Sequence, residues 1–162
     1  PALYAADVFR TLARSNGIVL KPAEFAETLP EASVVGEVAS DALQPILHGM
    51  MKFSTNLTAE VAGLAASKMG GPVDTLGASA RQMARYVSAQ GAGRVTFADH
   101  SGLNYESGIT AQDMVRILSA DTAVRPLMKP VNLSLDKARP APQDTVVLAK
   151  PGPLNFVSSL AG

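Results

Sequence analysis

The chain of 162 residues contains no cysteine. Disulfides and thiolate metal sites are thereby excluded, although the compartment is not, because a periplasmic protein can do without either. There is no excess of charge of either sign: 14 Lys and Arg stand against 14 Asp and Glu. Binding nucleic acid by phosphate neutralisation needs a basic surplus, so that partner is not expected. No run approaches the roughly 18 apolar residues of a membrane-spanning helix. Two histidines, His48 and His100, are too few for a metal site without matched carboxylates, and no metal or organic cofactor is expected. What is present reads as globular, with 47% hydrophobic and 17% charged residues in a length typical of one domain. The opening Pro1-Ala2-Leu3 has neither an initiator Met nor the basic-then-apolar pattern of a signal peptide. A processed chain or a fragment is the expectation.

Residues 2–15 put Leu3, Val8, Phe9 and Leu12 on one helical face, and Asn16-Gly17 is a stop signal. Residues 32–40 have the β-branched bias of a strand or extended segment. From Ala42 to Met69 the helical pattern breaks at Ser54-Thr55-Asn56, which predicts two helices joined at a polar corner. Residues 74–90 read as a further helix, with Leu76, Ala80, Met83 and Val87 on one side. Residues 94–99 alternate like a short strand, and Thr110 opens a helix with Asp113 in the capping-box position. Residues 119–144 read mostly as loop, with Pro126, Pro130, Pro140 and Pro142, and a closing strand follows. Met50, Met51, Met69 and Met83 read as core filler, and Gly91-Ala92-Gly93 as a turn. Helices followed by strands predict an α+β fold, a helical cluster packed on an antiparallel sheet.

Three short motifs could carry chemistry, and each has a plain structural reading. Ser54-Thr55-Asn56 fits S-x-N but could be a helix cap. Asp99-His100-Ser101-Gly102-Leu103 could be a strand-exit turn. Lys150, in Lys150-Pro151-Gly152-Pro153, could be an edge-strand gatekeeper. Their order gives them a joint meaning, because S-x-x-K, S-x-N and K-T-G form the motif set of serine penicillin-interactive enzymes.

In KFSTNLTAE (52–60), FADHSGLNYESGITAQDMVRIL (97–118), RPLMK (125–129) and AKPGPLNFVSSLAG (149–162), the chain resembles the class C low-molecular-mass penicillin-binding proteins. These are the D-alanyl-D-alanine carboxypeptidase/endopeptidase family. The resemblance covers essentially residues 1–162. It implies a β-lactamase/transpeptidase-like fold that is incomplete in this chain, and a periplasmic serine hydrolase of peptidoglycan peptides that works through an acyl-enzyme. Ser54 would relay a proton, Asn56 would hold the substrate backbone, and Lys150 would attract the substrate's terminal carboxylate. The strand around Lys150 would bind the D-Ala-D-Ala peptide by β-augmentation. Asp99, Ser101 and Gly102 would shape the cleft. Implied partners are D-Ala-D-Ala peptides, β-lactams and a nucleophile-bearing N-terminal segment, either covalent or a companion chain.

Two departures stand out. The chain is expected to lack the S-x-x-K nucleophile, which lies nearer the N-terminus in the family, and so to be the C-terminal part of the catalytic domain. K-P-G-P also replaces K-T-G-T. Pro151 removes a hydroxyl, and Pro153 removes the backbone N–H that would line an oxyanion hole. Each proline is one base from threonine, so an error in the recorded sequence stands level with genuine inactivation. With the hole disabled, a non-catalytic cell-wall-binding or scaffolding protein of the same fold is the alternative, and coincidental motifs on an unrelated globular domain a third reading.

Overall fold

A computed structural model describes residues 2–28, 31, 33–34, 36–131, 146–154 and 157–162. They divide into two compact units, Pro1–Ala39 and Ser40–Gly162. The architecture is α+β as expected, with five α-helices and a three-stranded antiparallel sheet among the described residues.

The first unit is built on α1 (Ala2–Ser15). Its end is a Schellman motif: Gly17 adopts φ 81°, Gly17 N donates to Arg14 O, and Ile18 N donates to Ala13 O, both at 3.0 Å. Asn16 Nδ2 adds a bond to Leu12 O at 2.8 Å, so the Asn-Gly stop signal is used in full. The strand expected over 32–40 does not form at residues 33–34 and 36–40, which pair with no neighbour. β-Branched composition favours an extended backbone but cannot hold a strand without a partner ladder. Ala32 and Val35 lie outside the described residues.

In the second unit, α2 (Leu43–Phe53) and α3 (Asn56–Met69) meet at the predicted corner. Next, α4 (Leu76–Ala89) is capped by Thr75, whose hydroxyl accepts from Ala78 N at 3.1 Å. It packs on α3 through small residues: Ser67 and Ser79 are buried and hydrogen-bonded to each other at 2.7 Å, beside Ala80 and Ala84. Small side chains let two helices approach closely, and the hydroxyl pair satisfies what the approach buries. Met69, expected in the core, is 90% exposed at the end of α3.

The strand expected over 94–99 contracts to one bridge, Thr96 to Gly108, with N–H···O distances of 2.9 and 2.7 Å. The loop it closes turns back at Asp99, and that turn takes the residues a longer strand would need. Helix α5 (Ala111–Ala120) begins at Thr110, whose hydroxyl accepts from Asp113 N at 3.1 Å. The reciprocal half of a capping box is absent. Asp113 instead accepts from Thr110 Oγ1 (2.7 Å), Gly93 N (2.8 Å) and Arg116 (2.9 Å), tying the Gly91–Gly93 turn to the helix.

A short 3-10 turn (Arg125–Leu127) leads into β1 (Lys129–Val131). Pro140 and Pro142 of the predicted loop lie outside the described residues. The closing strand is a hairpin instead of one element: β2 (Val147–Leu154) and β3 (Val157–Ala161). β1 pairs with the first half of β2 (Lys129 with Ala149) and β3 with the second (Lys150 with Ala161, Gly152 with Ser159).

That division explains how a strand tolerates two prolines. Antiparallel partners alternate between pairs that exchange N–H···O bonds and pairs that do not. Pro151 and Pro153 are two apart, opposite Leu160 and Ser158, so both fit the non-bonded positions. Their missing N–H groups then fall on the edge turned away from β3, where no described strand pairs with residues 150–154.

Asp113 is buried, and its pKa is held below the usual 3.8, first by the Thr110 hydroxyl and then by Gly93 N, with Arg116 adding to both. A carboxylate depressed in the folded state stabilises above its unfolded pKa, and loses that contribution as pH falls through its folded pKa. D113N is expected to melt below the wild type at pH 7, with the gap closing as pH drops below 3.8. Thermal scans against pH check this; a gap independent of pH would overturn it.

Candidate active-site cleft

The corner between α2 and α3 turns on Ser54, which adopts φ 55° and ψ 47°. It is the one non-glycine residue with positive φ among those described. Its N–H donates to Met50 O, closing α2. A serine in this conformation costs about 1–2 kcal/mol relative to the right-handed helix. The helix-cap reading of Ser54-Thr55-Asn56 fails on the side chains, because the N-cap Thr55 makes no capping hydrogen bond to α3. The strained corner instead aims the Ser54 hydroxyl out of the helix pair.

It is aimed at Lys150. The ammonium donates to Ser54 Oγ across 96 residues of sequence, and to Pro151 O at 2.6 Å. Lys150 is half-buried on the face of β2 that also carries Gly152, and across the ladder Ser159 and Ala161. With Ser54 Oγ accepting from the lysine, its own O–H is free to donate elsewhere, and the ammonium keeps a third proton. Burial lowers the Lys150 pKa from 10.5, and the charge of Lys129 lowers it further.

Gly152 reads differently in three dimensions. A Cβ there would fall 2.5 Å from Ser159 Oγ, which donates to Gly152 O at 3.2 Å. The glycine makes room for that hydroxyl as well as for anything that approaches the strand.

The 99–103 turn forms the facing wall. Asp99 accepts from Gly102 N (2.9 Å) and Asn104 N (2.7 Å), and from the hydroxyls of Ser101 (3.3 Å) and Ser107 (3.4 Å). Gly102 sits at φ 77°, which only glycine takes without strain. Asp99 is thus the organiser of the turn and does not line the cleft. Ser101, Gly102 and Leu103 do.

Together these elements enclose a cleft of about 440 Å³ lined by Ser54, Asn56, Ser101 to Leu103, Met114, Lys150 to Pro153, Ser159 and Ala161. Every site residue expected from sequence borders it except Asp99, one bond behind. Sequence reasoning missed Ser159, Met114 and Glu60. Ser159 stands across the ladder from Gly152, which only the hairpin register reveals. Glu60 follows Asn56 by one helical turn and accepts from the backbone N–H of His100 and Ser101. That i, i+4 spacing was a usable signal.

One sequence expectation needs correction. An S-x-x-K spacing does occur, at Ser134-Leu135-Asp136-Lys137. It follows the S-x-N and D-x-S-G-L motifs instead of preceding them, and it lies outside the described residues.

The strained corner can be tested directly. S54G and S54A both lose the bond to Lys150, but only alanine keeps a Cβ in the left-handed conformation. S54G is expected to be about 1 kcal/mol more stable than S54A in urea unfolding. Equal stabilities would show that the corner relaxes.

Comparison with known proteins adds one finding. No curated protein and no solved structure matches the chain. The sequence model of the D-Ala-D-Ala carboxypeptidase 3 (S13) family matches residues 1–162 of this chain. That agrees with the resemblance carried by the motifs and sets aside their coincidence on an unrelated domain. The chain belongs to the D-Ala-D-Ala carboxypeptidase 3 (S13) family of peptidases.

Proposed function

We propose that the intact protein is a serine-type D-alanyl-D-alanine carboxypeptidase/endopeptidase. It cleaves peptidoglycan peptides in the periplasm through an acyl-enzyme and is acylated by β-lactams. The observation that carries this reading is the Lys150–Ser54 hydrogen bond at the centre of the cleft beside Asn56. The Lys150 ammonium attracts the terminal carboxylate of the peptide, and the Asn56 amide holds its backbone. The free Ser54 O–H passes a proton between nucleophile and leaving amine. The peptide lies along the open edge of residues 150–154 as an added strand.

The nucleophile is supplied by an S-x-x-K segment that precedes Ser54 in the intact enzyme. Few large apolar side chains are buried among the described residues: Met128, Ala80, Ala84, Ala92 and Ala149 are the buried hydrophobic residues, whereas Phe53, Leu57 and Val61 are exposed. The same missing segment, covalent or as a companion chain, is expected to cover such surface.

Pro153 favours a second reading, a non-catalytic protein that binds cell-wall peptides. One oxyanion-hole donor is worth about 10²–10³ in rate. Penicillin incubation of the intact protein, followed by mass spectrometry and peptide mapping, separates the readings. A penicilloyl adduct on a serine preceding Ser54 is expected, with P153T raising the acylation rate by up to about 10². An adduct on Ser134 would assign the nucleophile to the out-of-order S-x-x-K. No adduct in either protein would favour the non-catalytic reading.

Lys150 also sets a pH dependence. Its pKa lies below 10.5, so affinity for a peptide carboxylate is expected to fall with rising pH, at a midpoint below 10.5. K129Q removes the neighbouring positive charge and should move that midpoint upward. Calorimetric titrations across pH 7 to 11 (roughly the window in which lysine deprotonates) check both; a midpoint unmoved by K129Q would exclude the coupling.

A further inference from the structure

The turn that walls the cleft is organised from inside by Asp99, but those bonds do not say where the turn sits relative to Asn56 and Lys150. Two anchors reach it from the helices. Glu60 accepts from His100 N at 3.2 Å through Oε1 and 3.3 Å through Oε2, and from Ser101 N at 3.0 Å through Oε1. Asn56 and Glu60 are i and i+4 on α3, so one helix face carries both a cleft residue and the grip on the opposite wall.

The second anchor is the His100 ring. Its Nε2 is 2.7 Å from Ser79 Oγ on α4, and that hydroxyl is 2.7 Å from Ser67 Oγ on α3. Ser79 is fully buried and Ser67 nearly so. The ring lies against Gly63, where a Cβ would come 2.6 Å from Cδ2. Glycine in the middle of a helix is disfavoured relative to alanine, so its presence marks the space the ring needs. Among the described residues the buried Nδ1 atom has no partner. A seat that leaves one ring nitrogen unsatisfied is held by the rest of the packing.

We propose that Glu60 is the positioning residue of the cleft and His100 its wedge: together they fix the Ser101–Gly102–Leu103 wall at the spacing from Asn56 that a D-Ala-D-Ala peptide requires. This rests on the peptide reading above. Neither residue touches the reacting atoms; they act through the wall. One carboxylate oxygen, Oε1, serves both amides, so an amide side chain can replace Glu60 and a methyl cannot.

The test compares wild type, E60A, E60Q and S79A of the intact protein. Affinity for a peptide ending in D-Ala-D-Ala is measured by calorimetry, its hydrolysis by kcat and KM, and backbone amide exchange by mass spectrometry. E60A is expected to expose the His100 and Ser101 amides while Gly102 and Asn104 stay protected by Asp99, so the turn persists but is unmoored. Peptide Kd and KM should rise about tenfold with kcat within about threefold, since two charge-assisted hydrogen bonds are lost and no reacting group is. E60Q should restore Kd to within about threefold of wild type, and S79A should raise it by about threefold.

An E60A Kd within about twofold of wild type, or E60Q as impaired as E60A, would overturn the proposal; so would an unchanged S79A, for the wedge. A wild type that binds but does not hydrolyse the peptide would sink the catalytic reading and still let the Kd values decide this one. A wild type that does not bind the peptide overturns both.

Discussion

The hydrogen bond from Lys150 to Ser54 is the constraint on which the cleft depends, because it joins two parts of the chain that share no secondary structure. Ser54 belongs to a helix corner and Lys150 to a strand 96 residues later. Each reaches the other by giving up something local. Ser54 accepts a left-handed backbone that a serine resists, and Lys150 accepts partial burial that lowers its pKa. Strain and desolvation of this kind are retained where a site needs two groups at fixed distance.

The strand that carries Lys150 shows how narrowly a motif can be altered without disturbing the fold. Prolines at 151 and 153 are compatible with the hairpin because their alternation matches that of the ladder, and the pairing to β3 survives. The same alternation puts both absent N–H groups on the open edge. The fold therefore tolerates the two prolines: the hairpin keeps its pairing, and the edge of residues 150–154 that faces away from β3 offers no N–H at either position.

The opposite wall is built by a different economy. Asp99 spends all its acceptor capacity inside its own turn, and Glu60 spends its capacity on the outside of the same turn. The turn becomes a defined surface because two carboxylates satisfy backbone N–H groups that would otherwise face solvent or go unpaired. Asp113 does the same for the Gly93 turn. Carboxylates serving as backbone acceptors recur through this unit.

Much of this was legible in the sequence. Local signals determined the helices: the Asn16-Gly17 stop, the polar break at Ser54, and the Thr110 cap all act over one turn of chain, where propensity and capping decide the outcome. The S-x-N, D-x-S-G-L and K-x-G residues identified the cleft by type and order, and the family match bears out the relationship. Tertiary structure decided the rest. Whether 94–99 is a strand or a single bridge, and whether the C-terminus is one strand or a hairpin, depends on which partner is available, and partners are not local. The use of Asp113 for Gly93 and of Ser159 for Gly152 could not be read from spacing alone; the i, i+4 spacing of Asn56 and Glu60 signals a shared helix face but not the turn that Glu60 holds. Hydrogen-bond capacity belongs to a residue, but the group that fills it is chosen by the approach of distant backbone.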